Sequence, residues 1–272
     1  MLQALESRRF LSVTINYEPT SGSLEILGTP KAEQIEVSLL GQGSYPVIVP
    51  DVELLTDRQS TVRYPPPGTS VSIRAEGKEV FETFFGADRP LNHVVLSGDG
   101  GDDLLAISNS ANPAKIVVYG DEGADQIVGF SDSIASGSEL FGGDGKDRIH
   151  AFAGKEAGDG FFISGDAGDD LIFGSRLDDR LYGDSDWDPR DVDRGSGDDT
   201  IFAGAGNDLI YGGDGADALF GEQGDDFIDG GRGVDLMHGG DGWDNGICDQ
   251  PEQIIDIEEV IILQPTQPTK KR

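Results

Sequence analysis

Aspartate and glycine recur at fixed intervals in the second half of the chain, and together these residue types suit the binding of a hard cation. Six nine-residue units follow one another without a gap from Arg194: RGSGDDTIF, AGAGNDLIY, GGDGADALF, GEQGDDFID, GGRGVDLMH and GGDGWDNGI. The fourth residue is glycine and the sixth is aspartate in every unit, and the eighth is apolar in the first five. Because three positions stay in phase, the pattern indicates a repeat architecture.

Further units precede these six. Two tandem units cover residues 165–182, and isolated units cover 97–105, 120–128 and 142–150. The sixth-position aspartates are the predicted metal ligands: Asp102, Asp125, Asp147, Asp170, Asp179, Asp199, Asp208, Asp217, Asp226, Asp235 and Asp244. Glycines at positions two and four are predicted to present carbonyl oxygens to the metal: Gly143, Gly145, Gly195, Gly197, Gly204, Gly206, Gly213, Gly215, Gly224, Gly231, Gly233, Gly240 and Gly242.

The composition of each unit predicts a turn followed by a short strand. Glycine lets the backbone adopt left-handed conformations and approach an ion closely, because no Cβ intervenes. Ca²⁺ prefers carbonyl and carboxylate oxygens, about six to eight at a time. The first six residues of a unit are therefore expected to form a calcium loop. The last three form a strand whose apolar eighth residue, for example Ile201 or Ile210, faces a shared core.

Stacking of the units creates an electrostatic problem that a metal would solve. Two units that face opposite ways complete one coil of 18 residues. Units two apart in sequence then stack at the parallel-strand spacing of about 4.8 Å. Two carboxylates about 5 Å apart repel by on the order of 3 kcal/mol at an effective dielectric of about 20. A divalent cation between successive loops reverses the sign of the interaction, so folding is expected to be coupled to Ca²⁺.

The spacing of the units predicts two columns of loops. The early sixth-position aspartates Asp102, Asp125, Asp147 and Asp170 are separated by 23, 22 and 23 residues. These intervals equal one coil plus a few residues, so the early coils are expected to have a calcium loop on one edge only. That column is predicted to continue through Asp188, Asp208, Asp226 and Asp244. The opposite column is predicted to contain Asp179, Asp199, Asp217 and Asp235, with ions on both edges toward the C-terminus.

The units match G-G-x-G-x-D-x-U-x over roughly residues 97–247, and in this they resemble the hemolysin-type (RTX) calcium-binding nonapeptide repeats. The resemblance implies an all-β fold: a right-handed parallel β-roll, preceded by a strand-rich N-terminal segment and closed by a C-terminal cap. It also implies several Ca²⁺ ions as cofactors. Type I secretion, which is common in the family, would suit a chain that stays unfolded until it meets extracellular calcium.

Outside the repeats the chain divides into four segments: a leader (1–12), a strand-rich segment (13–96), a cap (248–263) and a disordered tail (264–272). Strands are predicted at Ser12–Tyr17, Leu24–Leu27, Gln34–Leu39, Val71–Ala75 and Val80–Phe84. The stretch GTPKAEQIE (28–36) fits the repeat frame, with Lys31 at the glycine position and Glu33 at the aspartate position. It is either a strand after a turn or a decayed repeat without an ion. The whole segment 13–96 is either a small β domain or a set of irregular coils.

Charge and composition exclude several classes of partner. A net charge of −31 repels nucleic acid and anionic lipid and attracts cations. The chain has no run of 18 apolar residues, so no membrane span is predicted. A single cysteine, Cys248, excludes an internal disulfide framework.

The segment LESRRFLS (5–12) resembles a short leader that opens many bacterial surface and secreted proteins, so we expect an extracellular, secreted or cell-surface location.

No catalytic motif accompanies the repeats. The three histidines, His93, His150 and His238, stand in no H-E-x-x-H motif, and no G-x-S-x-G motif occurs. We therefore predict a protein that is not an enzyme. Two alternatives remain open. One is a secreted hydrolase or toxin-like protein with a site in residues 13–96. The other is an adhesion or ligand-binding module that recognises a surface protein or glycan with aromatic residues such as Tyr211, Phe220 and Trp243.

Overall fold

The computed structural model of the chain describes residues 8–9, 14–18, 23–30, 34–40, 69–75, 78–85, 91–109, 114–131, 138–153, 160–184, 196–248 and 253–262. All regular secondary structure in these segments is β-strand, so the described residues contain no helix that could cross a membrane. The predicted tail (264–272) and most of the predicted leader lie outside the described residues.

The N-terminal strands are β1 (Arg8–Arg9), β2 (Thr14–Glu18), β3 (Ser23–Pro30), β4 (Gln34–Leu40), β5 (Thr69–Ala75) and β6 (Lys78–Phe85). The next strands are β7 (His93–Gly100), β8 (Leu104–Asn109), β9 (Lys115–Glu122), β10 (Gln126–Ser131), β11 (Glu139–Asp144), β12 (Arg148–Ala153), β13 (Phe162–Ala167), β14 (Leu171–Phe173) and β15 (Arg180–Asp184). The last strands are β16 (Thr200–Ala205), β17 (Leu209–Gly215), β18 (Ala218–Gln223), β19 (Phe227–Gly233), β20 (Leu236–Asp241), β21 (Asn245–Cys248), β22 (Gln253–Ile255) and β23 (Glu259–Ile262).

These strands form two sheets, and from β7 onward successive strands alternate between them. One sheet has the order β1-β2-β3-β7-β9-β11-β13-β15-β17-β19-β21-β23, and the other has the order β22-β20-β18-β16-β14-β12-β10-β8-β4-β5-β6. Pairing is parallel from β3 to β23 in the first sheet and from β4 to β22 in the second. The chain therefore winds as a parallel β-roll, as the repeats predicted.

The core of the roll is a column of eighth-position side chains between the two sheets. Ile127, Ile149, Ile172, Ile201 and Ile210 are all 0% exposed. Leu219, Ile228 and Met237 continue the column with the same complete burial. Burial of one such side chain stabilises the fold by about 1.5–3 kcal/mol. The prediction that position eight faces a shared core is confirmed.

The parallel stacking begins before the first recognisable repeat. Strand β3 pairs with β7 from Ser23↔His93 to Pro30↔Gly100, and β4 pairs with β8 from Gln34↔Leu104. The two strands that flank residues 31–33 therefore stack in register on the strands that flank the loop of the first repeat unit. This register favours the decayed-repeat interpretation of 28–36, although Lys31 and Glu33 themselves lie outside the described residues. Strands β5 and β6 extend the second sheet in antiparallel pairing.

At the other end, the predicted cap continues the roll. Strand β22 pairs in parallel with β20, and β23 pairs in parallel with β21. The partly buried side chains of Ile254, Ile257 and Val260 pack against the core. The segment therefore forms a last coil in register with the repeats.

Candidate metal centre

Most of the loops have positive φ angles at positions two and four, whereas Ser175 and Leu177, which hold these positions in the unit 174–182, do not. Position two has a positive φ even where the residue is not glycine, as at Asp99 (77°), Asp121 (72°) and Glu222 (74°). At position four the reason is close packing. A Cβ added to Gly145 would lie closer than 3.0 Å to the carbonyl group of Gly123 in the preceding coil. The repeated glycines therefore let the backbones of successive loops touch.

Sixth-position aspartates stack in two columns, one along each edge of the roll. The backbone amide of each aspartate except the last of a column donates a hydrogen bond to Oδ1 of the aspartate one coil later, at 2.7–3.0 Å. The first column contains Asp103, Asp125, Asp147, Asp170, Asp199, Asp217 and Asp235. The second column contains Asp179, Asp208, Asp226 and Asp244. Early coils thus have an aspartate column on one edge and later coils on both, as predicted.

The first unit was assigned one residue out of frame. Strand β8 pairs Leu104 with Gln126, which puts Asp103 opposite Asp125. Asp103 is 2% exposed and lies in the first column, whereas Asp102 is exposed and its Oδ1 accepts a hydrogen bond from the amide of Ala124 at 3.1 Å. Asp102 therefore occupies position five. Two adjacent aspartates left the sequence frame ambiguous, and the register of the core decides it.

The predicted columns also exchange members in the middle of the roll. Asp170 contacts Asp199 and Asp179 contacts Asp208, and both pairs are 29 residues apart, in contrast to the 18-residue intervals that follow. The predicted order had joined Asp170 to Asp208 through Asp188. An insertion between β15 and β16 lengthens this coil without adding an aspartate to either column. Asp188 and Gly195 lie outside the described residues.

The second carboxylate oxygen of most column members has no hydrogen-bond partner among the residues that the structure describes. These side chains are at most 3% exposed, yet Oδ2 accepts no hydrogen bond within the described part of the chain. The atoms belong to Asp125, Asp147, Asp170, Asp199, Asp208, Asp217, Asp226 and Asp244. A buried acceptor without a partner is costly, and eight of them in register indicate that a cation belongs beside them.

For most of these aspartates, Oδ2 and a carbonyl oxygen of the next coil both lie close to the position-one glycine. A Cβ built on Gly142 would lie closer than 3.0 Å both to Oδ2 of Asp147 and to the carbonyl oxygen of Gly165. Gly120, Gly165, Gly183, Gly212 and Gly221 show the same arrangement. The position-one glycines were not among the predicted ligands, although their recurrence was visible in the sequence. One unit has Ala203 at this position.

The donor set consists of oxygen atoms and depends on the backbone. No group of three or more His, Cys, Asp or Glu side chains suited to a metal exists among the described residues. Each place between two loops offers one or two carboxylates, so carbonyl oxygens must supply the remaining ligands. Such an all-oxygen set fits Ca²⁺, whereas zinc sites use histidine and cysteine.

Burial makes these carboxylates resist ionisation in the metal-free chain. It is the largest cause of the raised pKa at each of them, and the neighbouring aspartates of the column add to it. The pKa rises to about 8 for Asp170 and Asp208, to about 7 for Asp147, Asp199 and Asp217, and to about 6 for Asp179 and Asp226. A cation that neutralises the column would remove this opposition to charge.

Asp179 differs from the other column members. Its Oδ2 accepts a hydrogen bond from the backbone amide of Ser175 at 2.6 Å, and its Oδ1 accepts one from the amide of Phe161 at 2.6 Å. The unit that contains it, GSRLDDRLY, has Leu177 in place of the position-four glycine. Both oxygens of this carboxylate therefore have protein donors.

Aromatic side chains form a ladder on the outer face of each sheet. Tyr182 and Tyr211 stack with ring centroids 4.8 Å apart, and Phe202 and Phe220 stack at the same distance. Tyr211 and Phe220 are half-buried in these ladders, with their rings against neighbouring rings. Trp243 differs, because it occupies position five of its loop and is 60% exposed. Of the three aromatic residues predicted to contact a ligand, only Trp243 is largely open to solvent.

Comparison with known proteins identifies the repeats. The family described as RTX calcium-binding nonapeptide repeat (4 copies) matches residues 138–156, 162–188, 193–228 and 220–245. No curated protein and no solved structure matches the chain significantly. The aspartate columns extend beyond the matched residues, to Asp103 on the N-terminal side.

Proposed function

We propose that this chain, whose repeats are RTX calcium-binding nonapeptides, binds several Ca²⁺ ions between the stacked loops of its roll and folds when it binds them. One observation carries the proposal. Eight buried aspartate Oδ2 atoms lie in register without a hydrogen-bond donor among the described residues, and most of them face a carbonyl oxygen of the next coil.

In this proposal each ion lies between two consecutive loops of one column. Oδ2 of the sixth-position aspartate and the position-one carbonyl oxygen of the next coil contribute to its oxygen shell. Carbonyl oxygens of positions two and four, for example those of Gly213 and Gly215, complete it. The bound ion supplies positive charge, which offsets the repulsion within the column. The chain contributes the bent loops and a core that fixes the distance between coils.

Direct calcium binding tests the proposal. Equilibrium dialysis of the full chain against ⁴⁵Ca²⁺ is expected to give several bound ions per chain with a cooperative isotherm. The dissociation constants are expected at about 10⁻⁴–10⁻³ M, as in extracellular calcium modules. A tenfold excess of Mg²⁺ should displace few of the ions, because Mg²⁺ demands a small octahedral site and dehydrates reluctantly. A chain that binds no calcium at millimolar concentration would refute the proposal.

We further propose that the protein is not an enzyme and acts outside the cell, as a secreted or surface protein. The expected affinity supports this location, since calcium reaches such concentrations outside cells and not in the cytosol. Export through a narrow channel also suits a chain that folds only after it meets calcium. Cell fractionation tests the location, and an activity screen against ester, peptide and glycosidic substrates tests the first alternative. Glycan-array binding, compared with a Trp243→Ala variant, tests the adhesion alternative.

Substitution of Asp179 should not reduce the number of bound ions, because Ser175 and Phe161 already satisfy its carboxylate. Asp226→Asn is the matched control, since Asp226 lies in the same column and its Oδ2 has no donor within the described residues. Equilibrium dialysis is expected to give the wild-type number of ions for Asp179→Asn and one ion fewer for Asp226→Asn. Equal losses in the two variants would contradict the assignment.

Calcium affinity should fall as the solution becomes more acidic. The pKa of Asp170 and of Asp208 is raised to about 8 by burial, so the metal-free roll holds protons there that the unfolded chain releases. The metal-free roll accordingly loses stability as the pH rises from about 4 toward 8, so the metal-free chain is expected to be disordered at pH 8, whereas at pH 6 calcium competes with a protonated roll. Titrations at pH 8 and pH 6 should give the weaker affinity at pH 6. An affinity that is unchanged or stronger at pH 6 would argue against buried carboxylate ligands.

A further inference from the structure

The last loop of the second column faces a segment that contains no repeat. We infer that this segment completes one more calcium site, in which Glu258 replaces the sixth-position aspartate and the carbonyl oxygen of Asp256 replaces that of the position-one glycine. The inference rests on the proposed function. It assigns a metal ligand to a part of the chain beyond the matched repeats, which end at residue 245.

The contact between Asp244 and Glu258 repeats the hydrogen bond that joins consecutive aspartates of the column. The amide of Asp244 donates to Oε2 of Glu258 at 2.8 Å, as the amide of Asp226 donates to Oδ1 of Asp244 at 2.9 Å. Strand register agrees, because Asn245 pairs with Glu259 and the preceding residues therefore stack. The coil is shorter here, with 14 residues between the two carboxylates compared with 18 in the repeats. The longer side chain of glutamate reaches the same place.

The backbone of the segment follows the loop as well. A Cβ built on Gly239 would lie closer than 3.0 Å to Oδ2 of Asp244 and to the carbonyl oxygen of Asp256. Gly221 has the equivalent relation to Oδ2 of Asp226 and the carbonyl oxygen of Gly239. Asp256 has a positive φ of 50°. Its side chain lies beside His238, with Oδ2 3.5 Å from Nε2, while its carbonyl oxygen is the atom that approaches Gly239.

A buried acceptor points into this place. Asp244 is 0% exposed, and its Oδ2 has no hydrogen-bond donor among the described residues. Glu258, by contrast, is exposed. The two carboxylates therefore lie on either side of a site that is buried at Asp244 and open to water at Glu258. An ion there should bind more weakly and exchange faster than the ions in the middle of the roll.

The test compares Glu258→Gln with Glu259→Gln. Glutamine keeps an oxygen acceptor for the amide of Asp244 and removes only the charge. Glu259 is the adjacent, exposed residue on β23, and no side-chain contact to the column is seen for it. Both changes are made in the Trp187→Phe background, which leaves Trp243 as the single tryptophan. Because Trp243 precedes Asp244, it can sensitise the luminescence of Tb³⁺ bound in place of Ca²⁺.

We expect Glu258→Gln to bind one calcium ion fewer by equilibrium dialysis and to lose part of the tryptophan-sensitised Tb³⁺ luminescence, since Trp243 also lies next to the ion between the loops of Asp226 and Asp244. Glu259→Gln should retain both the ion and the luminescence. An unchanged ion count and luminescence in Glu258→Gln would overturn the inference. Loss of all ions together in that variant would also overturn it, because it would mark Glu258 as a structural cap. If the parent chain itself binds no calcium, the proposed function fails first, and this outcome is distinct from both.

Discussion

Removal of calcium is expected to convert the roll from an ordered β-solenoid into a largely disordered chain. The first column stacks seven aspartates and the second stacks four, with little exposure to water. Repulsion of on the order of 3 kcal/mol per neighbouring pair, summed along a column, exceeds the roughly 5–15 kcal/mol by which domains are stable. Protonation relieves part of this repulsion near neutral pH, at Asp170 and Asp208, whose pKa is raised to about 8, but little of it at Asp179 and Asp226, whose pKa is raised only to about 6.

Far-ultraviolet circular dichroism measures this effect. In excess chelator the spectrum should be that of a disordered chain, and a few millimolar Ca²⁺ should restore a β spectrum. Mg²⁺ at the same concentration is the control and should not restore it. A β spectrum that persists unchanged in chelator would show that the carboxylates tolerate one another without a cation. That result would remove the main support for coupling between folding and calcium.

A methyl group at position four in the middle of the roll is expected to cause the largest loss of stability among single substitutions outside the core. Gly224 has a φ of 135°, which side-chain-bearing residues rarely adopt. A Cβ there would lie closer than 3.0 Å to the carbonyl carbon and oxygen of Gly206. The clash is between backbones, so rotation of a side chain cannot relieve it. Gly224→Ala should lower the free energy of unfolding by about 3 kcal/mol, near the top of the ordinary range for single substitutions.

Gly129→Ala provides the matched control. Gly129 lies on strand β10, and an added Cβ there would contact the flexible end of Leu140 at 3.1 Å. Urea unfolding at saturating calcium should therefore show a small change for Gly129→Ala and a large one for Gly224→Ala. The calcium concentration for half-maximal folding should also rise for Gly224→Ala and not for Gly129→Ala. Equal effects would mean that the loop backbones are free to separate.

The repeats allowed the fold to be predicted because three independent properties agreed in phase. Glycine specified the bends, the apolar eighth residue specified the core, and aspartate specified the edges. The order of the columns was less accessible, since it depends on how the strands before and after the insertion pair with one another. Local composition does not record this. The choice between Asp102 and Asp103 likewise needed the strand register.

Two features of the site depend on contacts that no repeat pattern specifies. Ser175 satisfies Asp179 through a backbone amide, and any residue type at that position carries the same amide. Glu258 reaches the end of the second column from a segment without glycine. Both follow from the three-dimensional path of the chain. In the sequence, the departure of Leu177 from the position-four glycine was the signal that the loop of Asp179 differs from the other loops.

Each coil makes its rung contacts only with the coil before it and the coil after it. The aspartate amides donate toward the C-terminal neighbour, while position-five amides, such as that of Ala216 to Asp198, donate toward the N-terminal neighbour. The array is thus a one-dimensional chain of similar nearest-neighbour couplings. In such an array the number of coils sets how abruptly order spreads once the first ions arrive. The number of repeats would therefore determine how cooperative the calcium-dependent folding transition is.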